Sequence, residues 1–520
     1  MSDAAGLAPD DRPFRTIVRN VATRYLSVAI EIVLGLITLP FNLHHLGTDA
    51  YGLWMLTAGI TIHFSILDLG YGGAMVKFVA QYRAHRDARA LNEIASTLFY
   101  LFTAFGLVAY LVAAGLAFNL GHVFALTPAQ AAVGKWILLI VVVYVAMNFP
   151  FSVYGGVSSG FQRYDINNWV AIVCNSLVAI TNIAVVLMGF GLVTLVAATT
   201  IVRVAMLIVY RHNAYRVFPK LEIRPGLFRA SRLREVTGFS VYSSIIDWAN
   251  KLNYELDEVV IGVFLGATPI AVWAVADRII SGIQRLTNQA NAVLFPVVVD
   301  CDARQHTGRL QRLLVEGTRV SLGSVVPMAV LLIVLGDQIV RLWVGPAMTT
   351  VTPVLQILAV AVALRVGNST STTLLKGAGR VRYVAMVNIV AGICNLVLSA
   401  ILIQPLGLPG VAIGTLVPIA AASIFVLFPA ACRRAQLPLA EAFRRAVWPP
   451  VWPAIVSGVT LEVLRRGSGT SVALLVGDAA LATVLYVVLF IVAIGPRDRE
   501  HYLAKVSDLM RRNRNLAPVA

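Results

Sequence analysis

Hydrophobic residues run along this chain in blocks far longer than the strands or amphipathic helices of a water-soluble domain. A helix needs about 20 apolar residues to cross roughly 30 Å of hydrocarbon. Runs of that length fall near 17–43, 51–80, 93–120, 133–160, 166–190 and 191–212. After a basic stretch, six more follow near 236–264, 268–298, 310–336, 351–376, 383–404 and 408–432, and two last ones near 447–464 and 470–494. Backbone inside a bilayer must satisfy its own hydrogen bonds, so these runs read as helices. The pattern predicts an all-α polytopic membrane protein with about fourteen transmembrane helices.

The first twelve runs form two sets of six. LGTDAYGLW at 46–54 returns as LGATPIAVW at 265–273, a shift of 219 residues. The same ungapped shift pairs Leu91 with Leu310, then Gly160, Arg163 and Tyr164 with Gly379, Arg382 and Tyr383, and finally Gly191 with Gly410. Matches at Gly, Trp, Arg and Tyr in loop positions indicate duplication rather than shared apolar composition. Each copy holds an even number of spans, so both insert in the same sense, as two parallel six-helix repeats related by an axis along the membrane normal. The expected organisation is a 1–16 tail, an N-lobe at 17–212, a linker at 213–235, a C-lobe at 236–432, two extra C-terminal helices within 433–496 and a 497–520 tail.

Composition agrees, with 58% hydrophobic and 13% charged residues and a mean hydropathy of +0.78; a soluble domain is about a quarter charged. A formal charge of +16 would suggest nucleic acid in a soluble protein, but here the basic residues gather in alternate loops. Arg83, Arg86 and Arg89, Arg163, the run 211–234, Arg304 to Arg312, Arg380 and Arg382, 433–445 and both tails fall on one side. The opposite side shows only Lys135, Arg341, Arg465 and Arg466. By the positive-inside rule both termini are cytoplasmic, and nucleic acid drops out as a partner. The first span carries Arg24 and Glu31, unlike a cleavable signal peptide. Cys174, Cys301, Cys394 and Cys432 make no disulfide framework or metal motif. No catalytic signature and no long outer loop is present, which argues against a membrane glycan polymerase or ligase.

Polar groups inside spans concentrate on four helices that the repeat makes symmetry partners. Asn20, Arg24, Ser27, Glu31, Thr38 and Asn42 share a face of the first span, and Thr61, Ser65, Asp68 and Gly72 share one of the second. Ser240, Ser244, Asp247, Lys251, Glu255 and Glu258 stripe the seventh; Asp277, Ser281, Gln284, Asn288 and Asn291 line the eighth, with Arg278 and Arg285 beside them. Each ionisable group in mid-span costs about 2.5–3.5 kcal/mol. The four stripes therefore predict a water-filled cleft, with ion pairing inside each stripe as the simpler reading. Asn148, Asn175, Asn182, Asn388 and Asn395 read as hydrogen-bonding glue between helices.

The stretch from Leu46 through Leu91 resembles the N-terminal region of Wzx-type oligosaccharide flippases, in its LG-x3-YG opening, in Asp68-Leu69-Gly70 and in the basic loop after Lys77. The two six-helix lobes are similar to the wider MOP superfamily, which also holds MurJ-type lipid II flippases and MATE exporters. The resemblance implies a flippase that carries an undecaprenyl-diphosphate-linked oligosaccharide across the bacterial cytoplasmic membrane by alternating access, for surface polysaccharide or lipopolysaccharide biosynthesis. It also implies a lipid-tail groove at the two extra helices and other polysaccharide-assembly membrane proteins as partners. In MurJ-like relatives an aspartate directly follows an arginine of the first helix, whereas Arg24 precedes Tyr25 here, which sets the lipid II alternative second. A MATE-like cation-coupled exporter is the other alternative, although such exporters usually stop at twelve spans.

A lipid-linked diphosphate calls for cations at mid-membrane. Arg24, Lys251 and Arg285 are the first candidates for the diphosphate and glycan, with Arg278 and Arg365 next, because guanidinium groups suit bidentate phosphate capture. Glu31, Asp68, Asp247 and Glu255 are carboxylates able to couple transport to H+ or Na+, or to pair with the arginines. No cofactor, structural metal or catalytic residue is expected.

Overall fold

A computed structural model describes residues 13–68, 70–237, 256–467 and 472–494. The described regular structure is helical throughout. Helix α1 spans Pro13–His63, and a short turn at Phe64–Asp68 leads to α2, Tyr71–Ala84. Then come α3 (Ala88–Phe118), α4 (Pro128–Gly160), α5 (Tyr164–Leu187) and α6 (Leu192–Val217). The second half continues with α7 (Asp257–Phe264), α8 (Ala267–Ala303), α9 (Thr307–Val344), α10 (Val351–Gly367), α11 (Ser369–Gly377), α12 (Val381–Leu406) and α13 (Leu408–Ala421). Helix α13 runs on to Arg434, and α14 (Trp448–Gly467) and α15 (Val472–Ala493) close the described chain.

Eleven helices among the described residues are long and apolar enough to cross a membrane. The first of them, α1, is two helices joined at Gly47. Helix α8 is also long enough at 37 residues, but its polar face lowers its hydropathy. The expected seventh span, 236–264, lies mostly outside the described residues. The chain is thus an all-α, multi-pass membrane protein of about fourteen spans, in two six-helix repeats followed by two extra helices.

The backbone carries the 219-residue repeat. Gly47 and Gly266 both adopt the left-handed conformation, with φ of 81° and 84°, where a Cβ would be strained. Arg86 and Gln305, the same distance apart, turn the chain at φ 58° and 57°. Helices α3 and α9 start at equivalent positions, Ala88 and Thr307, and α5 and α12 end at Leu187 and Leu406. Local capping fixes several starts: the Asp87 carboxylate accepts from the Ala90 amide, and Thr127 with Gln130 forms a capping box around Pro128.

The chain forms two compact units, residues 1–278 with 388–415, and residues 279–387 with 416–520. In the first unit α4 packs against α3 and α6, and α1 against α5. Helices α3 and α4 approach so closely at Gly106 that a Cβ there would collide with the Ala146 carbonyl. Tyr71, Met75, Phe102 and Phe149 fill the core beside them. In the second unit α9 packs against α10, α14 and α15. Gly323 of α9 lies under the Phe490 ring and accepts from the Tyr486 hydroxyl at 3.2 Å, so both extra helices dock on α9. Helix α15 leaves Val476, Val484, Val488 and Val492 exposed, as a helix facing lipid does.

Residues 218–237 form a strap tied to the end of α3. Asn92 donates to the Lys220 carbonyl at 2.8 Å and accepts from the Glu222 amide, while Ser96 and Thr97 accept from the amides of Arg224 and Arg229. Phe218 and Leu221 are buried in the core beneath. Glu93, 8% exposed, is bridged by Arg232 at 3.2 Å, with Arg89 at 3.3 Å and Arg229 at 3.9 Å. The Tyr82 hydroxyl donates to the Glu235 carboxylate at 2.9 Å. The segment expected as a linker is therefore fixed to α2 and α3.

Candidate functional site

The polar stripe expected along the second span is interrupted. The helix breaks over 64–70, because the Asp68 carboxylate turns to accept the Gly72 amide at 3.0 Å and Gly70 is left-handed at φ 73°. Asp68 thus holds the first turn of α2 from outside it, and with Thr61 and Gly72 it still lines one cavity. The expected tenth span is likewise divided, into α10 and α11 at Asn368.

Three glycines of α1 receive charged or polar groups in the first unit. A Cβ at Gly35 would overlap the Arg278 guanidinium, one at Gly59 the Glu258 carboxylate, and one at Gly52 the Ala267 carbonyl. Arg278 is thus a cation within a spanning helix, housed against bare backbone. Tyr51, 6% exposed, lies in the field of both Arg278 and Glu258. Nearby, Asp49 accepts from Thr268, its equivalent across the repeat.

Asp257, at the start of α7 and 7% exposed, has no counterpart in the sequence-based candidates. It accepts from the Thr415 hydroxyl at 3.3 Å and from the Asn395 amide at 3.5 Å. Ser399 donates to Asn395 Oδ1 at 2.9 Å, and the Thr415 hydroxyl also reaches the Val411 carbonyl at 3.1 Å. One carboxylate, one amide, two hydroxyls and a carbonyl converge from α7, α12 and α13. That donor set is oxygen-rich, as hard cations require, and it carries a single negative charge, which suits a monovalent ion or a proton. Among the described residues no three His, Cys, Asp or Glu side chains gather as a metal site.

A cavity of about 600 Å³ opens inside the first unit, lined among others by Trp54, Asp68, Tyr144, Asn148, Thr200 and Arg203. Arg203 lies over the Tyr144 ring at 5.7 Å. In the second unit Arg365 donates to the Gln284 side chain at 2.9 Å, bringing α10 to the polar face of α8. Arg285 is exposed on that helix, and Arg319 of α9 is 4% exposed. Arg24 is exposed and Glu31 half-buried on α1. Lys251, Asp247 and Glu255 lie outside the described residues. Arg203 and Arg319 were absent from the sequence-based candidates; a single arginine within an apolar run is a signal that would have found Arg203, whereas Arg309, Arg312 and Glu316 precede Arg319 in a charged stretch.

The fold and these polar interiors define a multi-pass membrane carrier, and comparisons place it more closely. The model of the family described as polysaccharide biosynthesis protein matches residues 17–301, and that described as MatE matches 251–401. The chain belongs to the polysaccharide biosynthesis protein family and is a flippase of the MOP superfamily. It is 20% identical over 417 residues to the probable flippase AglR of Haloferax volcanii, covering 79% of this chain and 83% of that one. It is 21% identical over 400 residues to the uncharacterized membrane protein EpsK of Bacillus subtilis, covering 75% and 78%. Among solved structures, the lipid II flippase MurJ in an inward closed conformation matches with a TM-score of 0.71 at 13% identity, over 91% of this chain and 98% of that one. An inward-facing multidrug resistance MATE transporter matches at 0.63 and 16% identity, over 78% and 98%. At these identities the structural likeness speaks for the fold alone.

Proposed function

We propose that the protein flips an undecaprenyl-diphosphate-linked oligosaccharide from the inner to the outer leaflet of the bacterial cytoplasmic membrane, by alternating access and with both termini in the cytoplasm. The observation that carries this reading is Arg278, a cation in a spanning helix whose guanidinium occupies the space left by Gly35. Arginine in mid-span costs about 2.5–3.5 kcal/mol, so a chain that keeps Arg278, Arg285 and Arg365, together with Arg24 and Lys251, gains most if its cargo is anionic. Two phosphates offer the paired acceptors that guanidinium groups bind bidentately. The exposed apolar faces of α14 and α15 suit a polyprenyl tail that stays in hydrocarbon.

Outward movement of a dianion is favoured by an inside-negative potential, at about 2.3 kcal/mol per charge per 100 mV. Resetting the empty carrier is the step that an ion would assist. Among the described residues Asp257, with Asn395, Ser399 and Thr415, offers a formed place for Na+ or a proton, and Glu31, Asp68, Asp247 and Glu255 are the other carboxylates for that role. The test is transport by the purified protein in sealed vesicles loaded with lipid-linked oligosaccharide. Transbilayer movement that Arg278→Ala abolishes supports the reading. Ion-driven efflux of a soluble drug without lipid movement would instead make the protein an exporter.

A further inference from the structure

The cavity of the first unit is walled mostly by apolar side chains, but it carries a charged pair that an isoprenoid tail would leave unsolvated. Beside its apolar wall it presents the Asp68 carboxylate, the Arg203 guanidinium, the Asn148 amide and the Thr200 hydroxyl. It is also poorly matched to a diphosphate, since its one cation is offset by one carboxylate. Arg203 lies 11 residues into the 26 of α6, about 17 Å from its first turn and so near mid-membrane. Asn148 stands at similar depth in α4 and is exposed to the cavity. A cavity of about 600 Å³ with a few polar groups at that depth falls in the size range of small-molecule sites, roughly 300–1,000 Å³.

We infer that this cavity is a sugar subsite, which takes one or two pyranose rings of the cargo's headgroup; the inference rests on the flippase reading above. A sugar ring has hydroxyl groups that both donate and accept, and apolar C–H faces between them. Asp68 and the Asn148 oxygen accept, while Arg203, the Asn148 nitrogen and Thr200 donate. Trp54 and Tyr144 provide flat faces for the C–H surface, and Arg203 lies over one face of the Tyr144 ring at 5.7 Å. Leaving a buried hydroxyl unpaired costs about 1–3 kcal/mol, so a cavity with donors and acceptors on several walls selects for polyhydroxylated ligands over apolar ones of equal size.

The test is cysteine protection at Ser152, which lines the cavity and is exposed. Cys174, Cys301, Cys394 and Cys432 are replaced by serine or alanine, Ser152→Cys is introduced, and a small water-soluble thiosulfonate is applied to membranes. Membranes come from cells that complete the lipid-linked glycan and from cells blocked before its first sugar is added. Labelling should be about five-fold slower when the glycan is present, the protection given by a ligand at about four times its dissociation constant. Arg203→Met should remove the protection and Arg203→Lys should retain part of it. Equal labelling in both membranes, no labelling in either, or equal protection by undecaprenyl phosphate without sugar would each overturn the assignment. If deletion of the protein also leaves surface glycan unchanged, the flippase reading has failed; if deletion abolishes it while protection is absent, only the subsite has.

Discussion

Replacing Glu93 by glutamine removes one charge and almost no volume from the cluster that holds the strap at 218–237. The native carboxylate receives Arg232 through two nitrogens at 3.2 and 3.3 Å, Arg89 at 3.3 Å and Arg229 at 3.9 Å. These bonds are unequal, because the Arg89 side chain is 80% exposed and that of Arg232 only 26%. Exposed pairs contribute about 0–1 kcal/mol, and shielded charge-assisted bonds about 1.5–3 kcal/mol. Glutamine keeps one acceptor oxygen, which leaves a loss of about 1–2 kcal/mol, or about 5- to 30-fold in the opening equilibrium of the strap. Limited trypsin cleavage after Lys220 and Arg229, in nanodiscs, reads that equilibrium when opening is faster than cutting. Glu93→Gln should accelerate cleavage by that factor, whereas Arg89→Ala should change it less than about five-fold. Equal rates for Glu93→Gln and the native protein, or equal effects of the two variants, would refute the reasoning.

Burial, with added help from the bond to Glu235, pushes the Tyr82 hydroxyl up to about 12. Because the folded value lies above the ordinary value of about 10, its contribution to stability is complete below that pH and is lost as pH rises through the folded value. An ultraviolet difference titration of native protein against Tyr82→Phe should show the missing phenolate near 12; a difference centred at the ordinary tyrosine value contradicts the buried bond. Gly52→Leu forces a side chain into the Ala267 carbonyl and should lower stability by about 1–3 kcal/mol. Gly73→Ala, facing open space in α2, should be neutral or stabilising by up to about 1 kcal/mol; thermal unfolding in detergent distinguishes them. Asp257→Asn keeps the shape of the α7 site and removes its charge, so flipping measured against Na+ at fixed pH, and against pH at fixed Na+, should lose its ion dependence. Unaltered dependence on both ions would move coupling to another carboxylate.

The spans and the duplication were legible because each rests on a local rule. A long apolar run has few alternatives to a spanning helix, and a left-handed turn such as those at Gly47 and Gly266 strongly favours glycine. Stripes were less secure, since a periodicity argument assumes an unbroken helix. Asp68 and Gly70 break the second span, as DLGYGG warns once the hold of Asp68 on the first turn of α2 is seen. Asp257 was invisible for a related reason. Helical spacing along the seventh span selects Glu255 and Glu258 and passes over Asp257, which turns instead toward α12 and α13. Its partners form two i, i+4 pairs, Asn395 with Ser399 and Val411 with Thr415, that look like ordinary interhelical glue until folding brings them to one carboxylate. Gly35 gave no sign of making room for Arg278, 243 positions along the chain.

The proposed function gives Arg278 the task of linking the polar helices to an anionic cargo, so the direct measurement is the leaflet distribution of the lipid-linked oligosaccharide in spheroplasts, read with a membrane-impermeant glycan probe. Cells carry native protein, Arg278→Ala at matched membrane level, or none. The account predicts that the outer-leaflet fraction falls by about tenfold or more in the variant, the effect of removing about 1.4 kcal/mol of cargo interaction, and that the glycan accumulates in the inner leaflet. An outer fraction that is the same in all three would contradict it.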